Sequence, residues 1–521
     1  MCQLCDDGDP QRHGRSRRDF LKDTAVTGVA AAGASLFGPR PAAAHGDDAP
    51  DDTGRRGRRY IIRGGSVMSL DPNVGDFPQA DVLVEGKKIV AIGPKLHAGN
   101  ATVIDARGRI VMPGFIDTHH HQFETALRSF IADGLLLPGT PGGDINYFQF
   151  ILLTFAPVYR PQDVFISELF GSLSQLDDGV TTVHDISQIH HSPAHSDAAI
   201  QGIMASGRRA AFGYFESAGP VAGNKYPDDA ERIQKQWFSS TDQLVTMIMG
   251  GEIYLPGYEK AWLLGRKLGL QVAAHILSPF GMRPTFDLLA KGQGGDSGTL
   301  ELGPDNLFVH MTGMSDLGWQ GVKNAGAQVS LAVPIEMNMR HGMPPLLRLQ
   351  SLGMEPSLST DVEVTLTADF FTQMRSTMNL QRALVNQMIL DSEPNNPWPP
   401  QPAGVPDPLT TRDVLRYATI NGAEALRLER KTGSLTPGKE ADIIILDATA
   451  LNVAPLNQVP GAVVSLMDRT NVETVIVAGK IRKWKGRLLD VDLSHLRRQL
   501  EASRDHIFAA AGIPQDLFRS N

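Results

Sequence analysis

Cysteine is almost missing from this sequence: Cys2 and Cys5 are the only two in 521 residues. If the segment that carries them is removed, a disulfide framework, a thiolate zinc site and a cysteine nucleophile are excluded together. A long apolar run is missing too. The mildly hydrophobic stretch over residues 24–38 falls short of the about 20 residues a bilayer-spanning helix needs, so no stable membrane span is expected. Nor is there a basic excess, since 49 Lys+Arg face 57 Asp+Glu for a formal net charge of −8. With no basic stripe through its body, the chain is not expected to bind nucleic acid. Its one basic cluster, Arg55-Arg56-Gly57-Arg58-Arg59, follows an acidic stretch and reads as a solvated linker. What the chain has is apolar material, 42% of residues against 20% charged. That suffices for a large buried core and is too much for general disorder.

The first 44 residues read as an address. Ser16-Arg17-Arg18-Asp19-Phe20-Leu21-Lys22 precedes the apolar stretch, and Pro41-Ala42-Ala43-Ala44 closes it. A charged part, a short apolar part and a small-residue A-x-A site, in that order, make a secretory signal. The arginine pair followed by Phe-Leu-Lys resembles the twin-arginine export motif. The resemblance implies the twin-arginine export machinery as a partner and a periplasmic or extracellular destination. Because that route carries folded proteins, it also implies that a metal could be loaded before export.

Beyond a linker over residues 45–59, the chain is organised as one module interrupted by another. Residues 60–110 alternate apolar and polar positions between turn glycines, the period-2 signature of short antiparallel strands. The same texture returns in residues 432–490, and two β-rich ends flanking a long middle are expected to pack as one small β-sandwich. Residues 491–521 read as a helical segment. The middle, residues 111–431, alternates apolar β-like runs with helical stretches such as 162–176, 196–206 and 366–391. Eight runs occur, at residues 110–117, 180–185, 209–215, 244–249, 270–275, 306–310, 328–333 and 356–361. Eight β-then-α units predict an α/β fold, a (β/α)8 barrel, with a doubly wound open sheet as the alternative. Residues 393–408 hold seven prolines around Trp398 and fit neither pattern, so they are a loop.

Chemistry-bearing residues fall at the ends of these runs. In Pro113-Gly114-Phe115-Ile116-Asp117-Thr118-His119-His120-His121 the alternation of a strand sends His119 and His121 one way and His120 another. Two imidazoles on one side of a strand end are a natural half of a divalent metal site. His275, His310 and Asp361 end three further runs. Taken singly, a strand-end histidine is usually structural and a strand-end aspartate usually caps the next helix. Taken together they carry weight, because a barrel brings the carboxyl end of every strand to one face.

With these residues the chain resembles the amidohydrolase superfamily, the metal-dependent hydrolases that include cytosine and adenosine-type deaminases and triazine hydrolases. The resemblance covers nearly everything after the leader. It rests on residues 113–121, on Gly179-Val180-Thr181-Thr182-Val183, on Ala418-Thr419-Ile420-Asn421-Gly422-Ala423, and on the closing Gly433-Ser434-Leu435-Thr436-Pro437-Gly438-Lys439-Glu440-Ala441-Asp442-Ile443. It implies that His119, His121, His275 and Asp361 hold one divalent ion, Zn2+ first and Fe2+ second, with a position left open for water. Asp361 would then be the general base, and His310 would polarise the substrate. A divalent ion lowers the pKa of its water from 15.7 to about 7, a carboxylate can carry the released proton to the leaving group, and an imidazole can stabilise a developing oxyanion. Relatives with two metals bridge them through a lysine on the fourth strand; residues 244–249 contain none, which favours a single metal.

One position departs from the pattern. Mononuclear deaminases carry a glutamate three residues after the fifth-strand histidine, and here that residue is Ser278, which cannot shuttle protons as a carboxylate does. Three alternatives stand: Asp361 and His310 work alone, another carboxylate such as Glu124 or Glu216 moves in, or the reaction is not a deamination. Glu124, His190, His191, Ser278 and His341 are further candidates for touching substrate. The sequence therefore predicts an exported, metal-dependent hydrolase that attacks a C–N bond (amide, cyclic amide or deamination) of a small molecule. A lyase, isomerase or cyclase on the same scaffold is the first alternative, and a catalytically silent ligand-binding protein the second. A homodimer is only the base-rate expectation for its assembly.

Overall fold

Strands from both ends of the chain meet in one sheet, and the eight runs between them close into a barrel. The computed structural model describes residues 48–139, 145–217 and 223–518. The leader, with Cys2, Cys5 and Arg17-Arg18, lies outside the described residues. The first strands are β1 (Arg59–Met68), β2 (Asp76–Glu85), β3 (Lys88–Gly93), β4 (Thr102–Asp105) and β5 (Arg109–Pro113). The last are β14 (Ile443–Asp447), β15 (Val472–Val477), β16 (Lys480–Trp484) and β17 (Arg487–Leu488). They are hydrogen-bonded as one nine-stranded mixed sheet, in the order β17-β16-β15-β14-β5-β1-β2-β3 with β4 beside β1. Strand alternation gives this sheet two apolar faces. Ile443 and Ile445 of β14 join Tyr60, Ile62, Val82 and Val84 in the sheet's own core. Ile444 and Leu446 turn the other way, into a core shared with Phe115, Val180 and the helix Phe370–Ser392. Met112 of β5 and Val475 and Val477 of β15 face the same way, so the small β domain and the barrel are joined by apolar burial across several strands.

The barrel strands are β6 (Phe115–His120), β7 (Val180–Ser187), β8 (Arg209–Tyr214), β9 (Val245–Gly250), β10 (Gln271–Ile276), β11 (Asn306–His310), β12 (Gln328–Leu331) and β13 (Ser357–Leu358). All are parallel neighbours in sequence order. The ring is closed past the short β13 by a parallel bridge between His120 and Asp361. There the Asp361 amide donates to the His119 carbonyl at 2.9 Å, and the His121 amide to the Asp361 carbonyl at 2.9 Å. A closed ring removes the open-sheet alternative. The eighth run, read as residues 356–361, is extended only over Ser357–Leu358. Asp361 at its end has φ 63°, a left-handed conformation outside the extended region of a strand.

Helices cover the outside much as their apolar spacing predicts, and differ at the caps. The helix expected from residue 196 begins at Pro193, whose fixed φ suits a first helical turn. The helix expected from residue 366 begins at Phe370, where the Asp369 carboxylate accepts from the Phe371 and Thr372 amides. Residues 393–408 form neither helix nor strand. The final helix, Leu493–Ala511, lies against the helix Pro161–Asp177 and donates from Ser503 Oγ to Asp163 Oδ1 at 2.7 Å. Among the described residues no helix is long and apolar enough to cross a membrane.

The closing motif has a structural reason. Arg209 at the start of β8 is buried, and its guanidinium donates to Asp442 Oδ2 at 2.7 Å and to Glu440 Oε2 at 2.6 Å. Burial alone would push the Glu440 carboxyl up, but Arg209, with Lys87, holds it down to about 2. Removing the guanidinium strands two buried carboxylates. Arg209→Met is therefore expected to cost about 3–5 kcal/mol in chemical denaturation at pH 7. A carboxyl depressed in the folded state stabilises above its unfolded pKa of about 4.3 and loses that contribution as pH falls toward the folded value. The stability gap between wild type and Arg209→Met should accordingly narrow from about pH 4.3 down to pH 2, and a gap unchanged over that range would refute the assignment.

Candidate metal centre

Five side chains from strand ends that are far apart in the chain converge at the carboxyl end of the barrel. His119 and His121 project together from the end of β6, with their Nε2 atoms 3.0 Å apart. His120 turns away, its Nδ1 lying 3.0 Å from Thr360 Oγ1. His275 Nε2 is 3.0 Å from His119 Nε2. Asp361 Oδ1 lies 3.4 Å from His119 Nε2 and 3.7 Å from His121 Nε2, and Asp361 Oδ2 lies 3.6 Å from His310 Nε2. In two overlapping sets, His119/His121/His275 and His119/His310/Asp361, the ligand atoms all fall within 4.8 Å of one another. His310 and Asp361 hold φ of 71° and 63°. Left-handed conformations cost about 1–3 kcal/mol each and are retained where surrounding structure imposes them, commonly at functional sites.

The electrostatics suit a cation. Burial, reinforced by the neighbouring imidazoles, pulls His119, His121 and His310 well below the ordinary histidine value, so they are neutral at pH 7. Burial also lowers His275, but the Glu252 carboxylate against it more than compensates and its net shift is upward. Burial raises the Asp361 carboxyl to about 7. Tautomers follow from the outer contacts. His121 Nδ1 lies 3.1 Å from the Ile186 carbonyl, and His275 Nδ1 lies 2.5 Å from Glu252 Oε1. Both Nδ1 atoms must donate there, so both Nε2 lone pairs face the cluster. His119 Nε2 sits between them and can donate to only one. Asp361 Oδ2 and His119 Nδ1 are buried with no hydrogen-bond partner. Lone pairs in excess of protons at 3.0–3.7 Å fit a divalent ion, since tetrahedral ligands about 2.0–2.1 Å from zinc lie roughly 3.3 Å apart.

A cleft opens above this cluster. His121, His275, His310 and Asp361 line its floor, and His341, Gln188 and Tyr147 add polar atoms to its walls. His341 stands edge-on to His310, with ring centroids 4.7 Å apart, and neither of its nitrogens has a partner. The other candidates lie elsewhere. Glu124 is buried behind the cleft wall, accepting from the Tyr147 hydroxyl at 2.5 Å. His190 bonds through Nδ1 to Ser196 and through Nε2 to the Ser187 carbonyl, and His191 bonds to Ser217 and the Ala156 carbonyl. Both spend their nitrogens on holding loops. Ser278 is exposed at the start of a short 3-10 turn and does not line the cleft. Glu216 accepts from the Glu252 amide at 2.8 Å, one residue layer behind His275.

Two carboxylates that matter here escaped the sequence reading. Glu252, just past β9, takes both the His275 amide and Nδ1. Glu336, in the helix Val333–Asn338, lies 3.1 Å from His310 Nδ1. Burial holds the Glu336 carboxyl well above its usual range, and its Oε1 also accepts from the Ala332 amide at 3.0 Å. The contact holds the His310 ring with Nε2 toward Asp361 and the cleft. A carboxylate just beyond the end of an apolar run was the available signal for Glu252; Glu336 had none, since only helix packing turns it inward.

The profile described as "Amidohydrolase family" matches residues 110–482. The 5'-deoxyadenosine deaminase of Methanosarcina mazei is 26% identical over 463 residues, covering 86% of this chain and 98% of that protein. The 5-methylthioadenosine/S-adenosylhomocysteine deaminase of Symbiobacterium thermophilum is 25% identical over 442 residues, covering 81% and 93%. Among solved structures, an adenosine deaminase from Xanthomonas campestris with bound zinc superposes with a TM-score of 0.71 at 21% identity, covering 87% of this chain and 99% of that one. Atrazine chlorohydrolase from Arthrobacter aurescens, complexed with zinc, gives a TM-score of 0.67 at 19% identity and covers 85% and 100%.

Glu252 is the most exacting test of this centre. Glu252→Gln removes the carboxylate that orients His275 and should weaken zinc binding about 10–100-fold in chelator competition. Unchanged affinity would show that His275 does not hold the metal.

Proposed function

The chain belongs to the amidohydrolase family of metal-dependent hydrolases, and on that footing we propose that His119, His121, His275 and Asp361 bind one divalent ion, zinc before iron, for hydrolysis of a C–N bond in a small molecule. The observation that carries this reading is the gathering of imidazoles and one carboxylate from four different strand ends, in two overlapping trios each within 4.8 Å, at the floor of a cleft. Bound there, the ion supplies Lewis acidity that makes water a nucleophile near neutral pH. Asp361 Oδ2, free of hydrogen bonds, accepts the proton that the water gives up and hands it to the departing nitrogen. His310, its ring held by Glu336, donates from Nε2 to the substrate atom on which negative charge develops. The apolar walls keep bulk water away, which strengthens each of these contacts. The relatives that carry deaminase names support an amino or ring nitrogen as the group at the cleaved carbon.

The purified mature chain should hold about one divalent ion. Asp361→Asn should keep the fold and lower hydrolysis about 100-fold or more across a set of amide, cyclic amide and 5'-deoxyadenosine substrates, with metal content measured in parallel. A stoichiometry near two, or none, contradicts the single-metal assignment, and undiminished turnover in Asp361→Asn removes its role as base.

The Arg17-Arg18 leader supports export by the twin-arginine route, with the folded chain carrying its metal across. Replacing both arginines by lysine should retain the protein in the cytoplasmic fraction; continued export would overturn this reading.

A further inference from the structure

The cleft is uneven in a way that describes its substrate. Of the residues that line it, all are buried except Tyr254 and Phe280, which are half-buried at its mouth. These two rings stack with centroids 4.6 Å apart and planes 14° from parallel, and Phe148 braces Phe280 from the side at 5.8 Å. Between this aromatic mouth and the metal-binding floor the walls are Leu136, Leu277, Met339 and Val362. Three buried polar atoms in the walls lack any partner: Gln188 Oε1 and the two ring nitrogens of His341. None of the described lining residues is lysine or arginine. Arg340, beside His341 in sequence, is exposed and does not line the cleft.

Each feature constrains the ligand. Half-buried stacked rings above an apolar throat are best covered by another flat apolar ring. A buried amide oxygen without a donor favours a ligand that brings an N–H. A charge carried on the ring, away from the bound ion, would be desolvated among apolar and aromatic walls, with no lysine or arginine among the described lining residues to pair an anion and no carboxylate other than Asp361 at the floor to pair a cation. Resting on the hydrolytic reading above, we propose that the substrate is an uncharged molecule whose flat apolar ring covers Tyr254 and Phe280. Its N–H group, next to the cleaved bond, donates to Gln188 Oε1, and His341 contacts the heteroatom on the other side.

Calorimetric titration of the zinc-loaded chain with four hydroxamic acids tests this without any knowledge of the natural substrate. Acetohydroxamic acid supplies the metal-binding head alone, benzohydroxamic acid adds an uncharged ring, and its 4-carboxy and 4-aminomethyl derivatives add charge. The expected result is that the benzo compound binds about tenfold or more tightly than the aceto compound, and that either charge removes most of the gain. Phe280→Ala should bring the benzo compound near the aceto compound while leaving the aceto affinity unchanged, which also shows that the variant is folded. Equal affinity for the aceto and benzo compounds overturns the ring contact. A charged derivative that binds as tightly as the benzo compound overturns the neutrality, and sensitivity of the carboxylate's binding to Arg340→Ala would identify an anion anchor instead. A chain that fails to hold zinc removes the hydrolytic reading and this inference with it. A chain that holds zinc and binds acetohydroxamic acid without the ring preference removes only this inference.

Discussion

The site depends on how the barrel closes. The last barrel strand is extended over only two residues, so the seam between it and β6 is carried by the main chain of Asp361. Its amide and carbonyl are bonded to His119 and His121, each at 2.9 Å. The bonds that complete the ring therefore also hold the carboxylate over the imidazole pair. A side chain placed by its own backbone hydrogen bonds has little freedom left, and the positive φ of Asp361 is the strain that this placement carries. Closure and chemistry share one residue, its main chain serving the first and its carboxylate the second.

Beneath the seam lies a buried polar layer that no apolar core would need. Asp117 accepts from the His119 amide, from Gln175 Nε2 at 2.6 Å and from Thr360 Oγ1. Gln175 and Gln122 in turn each accept from the buried guanidinium of Arg208 at 2.7 Å. Burial pushes the Asp185 carboxyl up to about 7 and pulls Arg208 down to about 10, as expected for charges far from water. Such a network is costly when partly satisfied and rigid when nearly complete. Here it fixes the strand ends from below while the outer carboxylates Glu252 and Glu336 fix two imidazoles from the side. Preorganisation of this kind lets ligands meet a cation without rearranging first.

The position where a deaminase-type glutamate was expected shows how local substitution and global geometry interact. Ser278 leaves the floor of the cleft, and no described carboxylate takes the vacated role directly. Glu124 is engaged by Tyr147 behind the wall, and Glu216 lies behind Glu252. The carboxylate that remains beside the clustered imidazoles is Asp361, with the His310–Glu336 pair facing it. On the proposed reading the chemistry is concentrated on one carboxylate and one imidazole, and apolar and aromatic residues line the cleft above them.

The sequence by itself determined the eight-run alternation, the two β-rich ends that pair, and the five strand-end residues His119, His121, His275, His310 and Asp361. These were legible because hydrophobic period and strand parity are local properties, and because a barrel sends every strand's carboxyl end to the same face. The sequence could not separate His341, which enters the cleft, from His190 and His191, which hold loops, because all three are loop histidines with similar neighbours. Nor could it reveal that Glu252 and Glu336 turn inward, or that the Glu440/Asp442 motif is an anchor for the buried Arg209. Those outcomes depend on which side chains fill the space between elements remote in sequence. Packing across such distances is a property of the closed ring, and no segment encodes it alone.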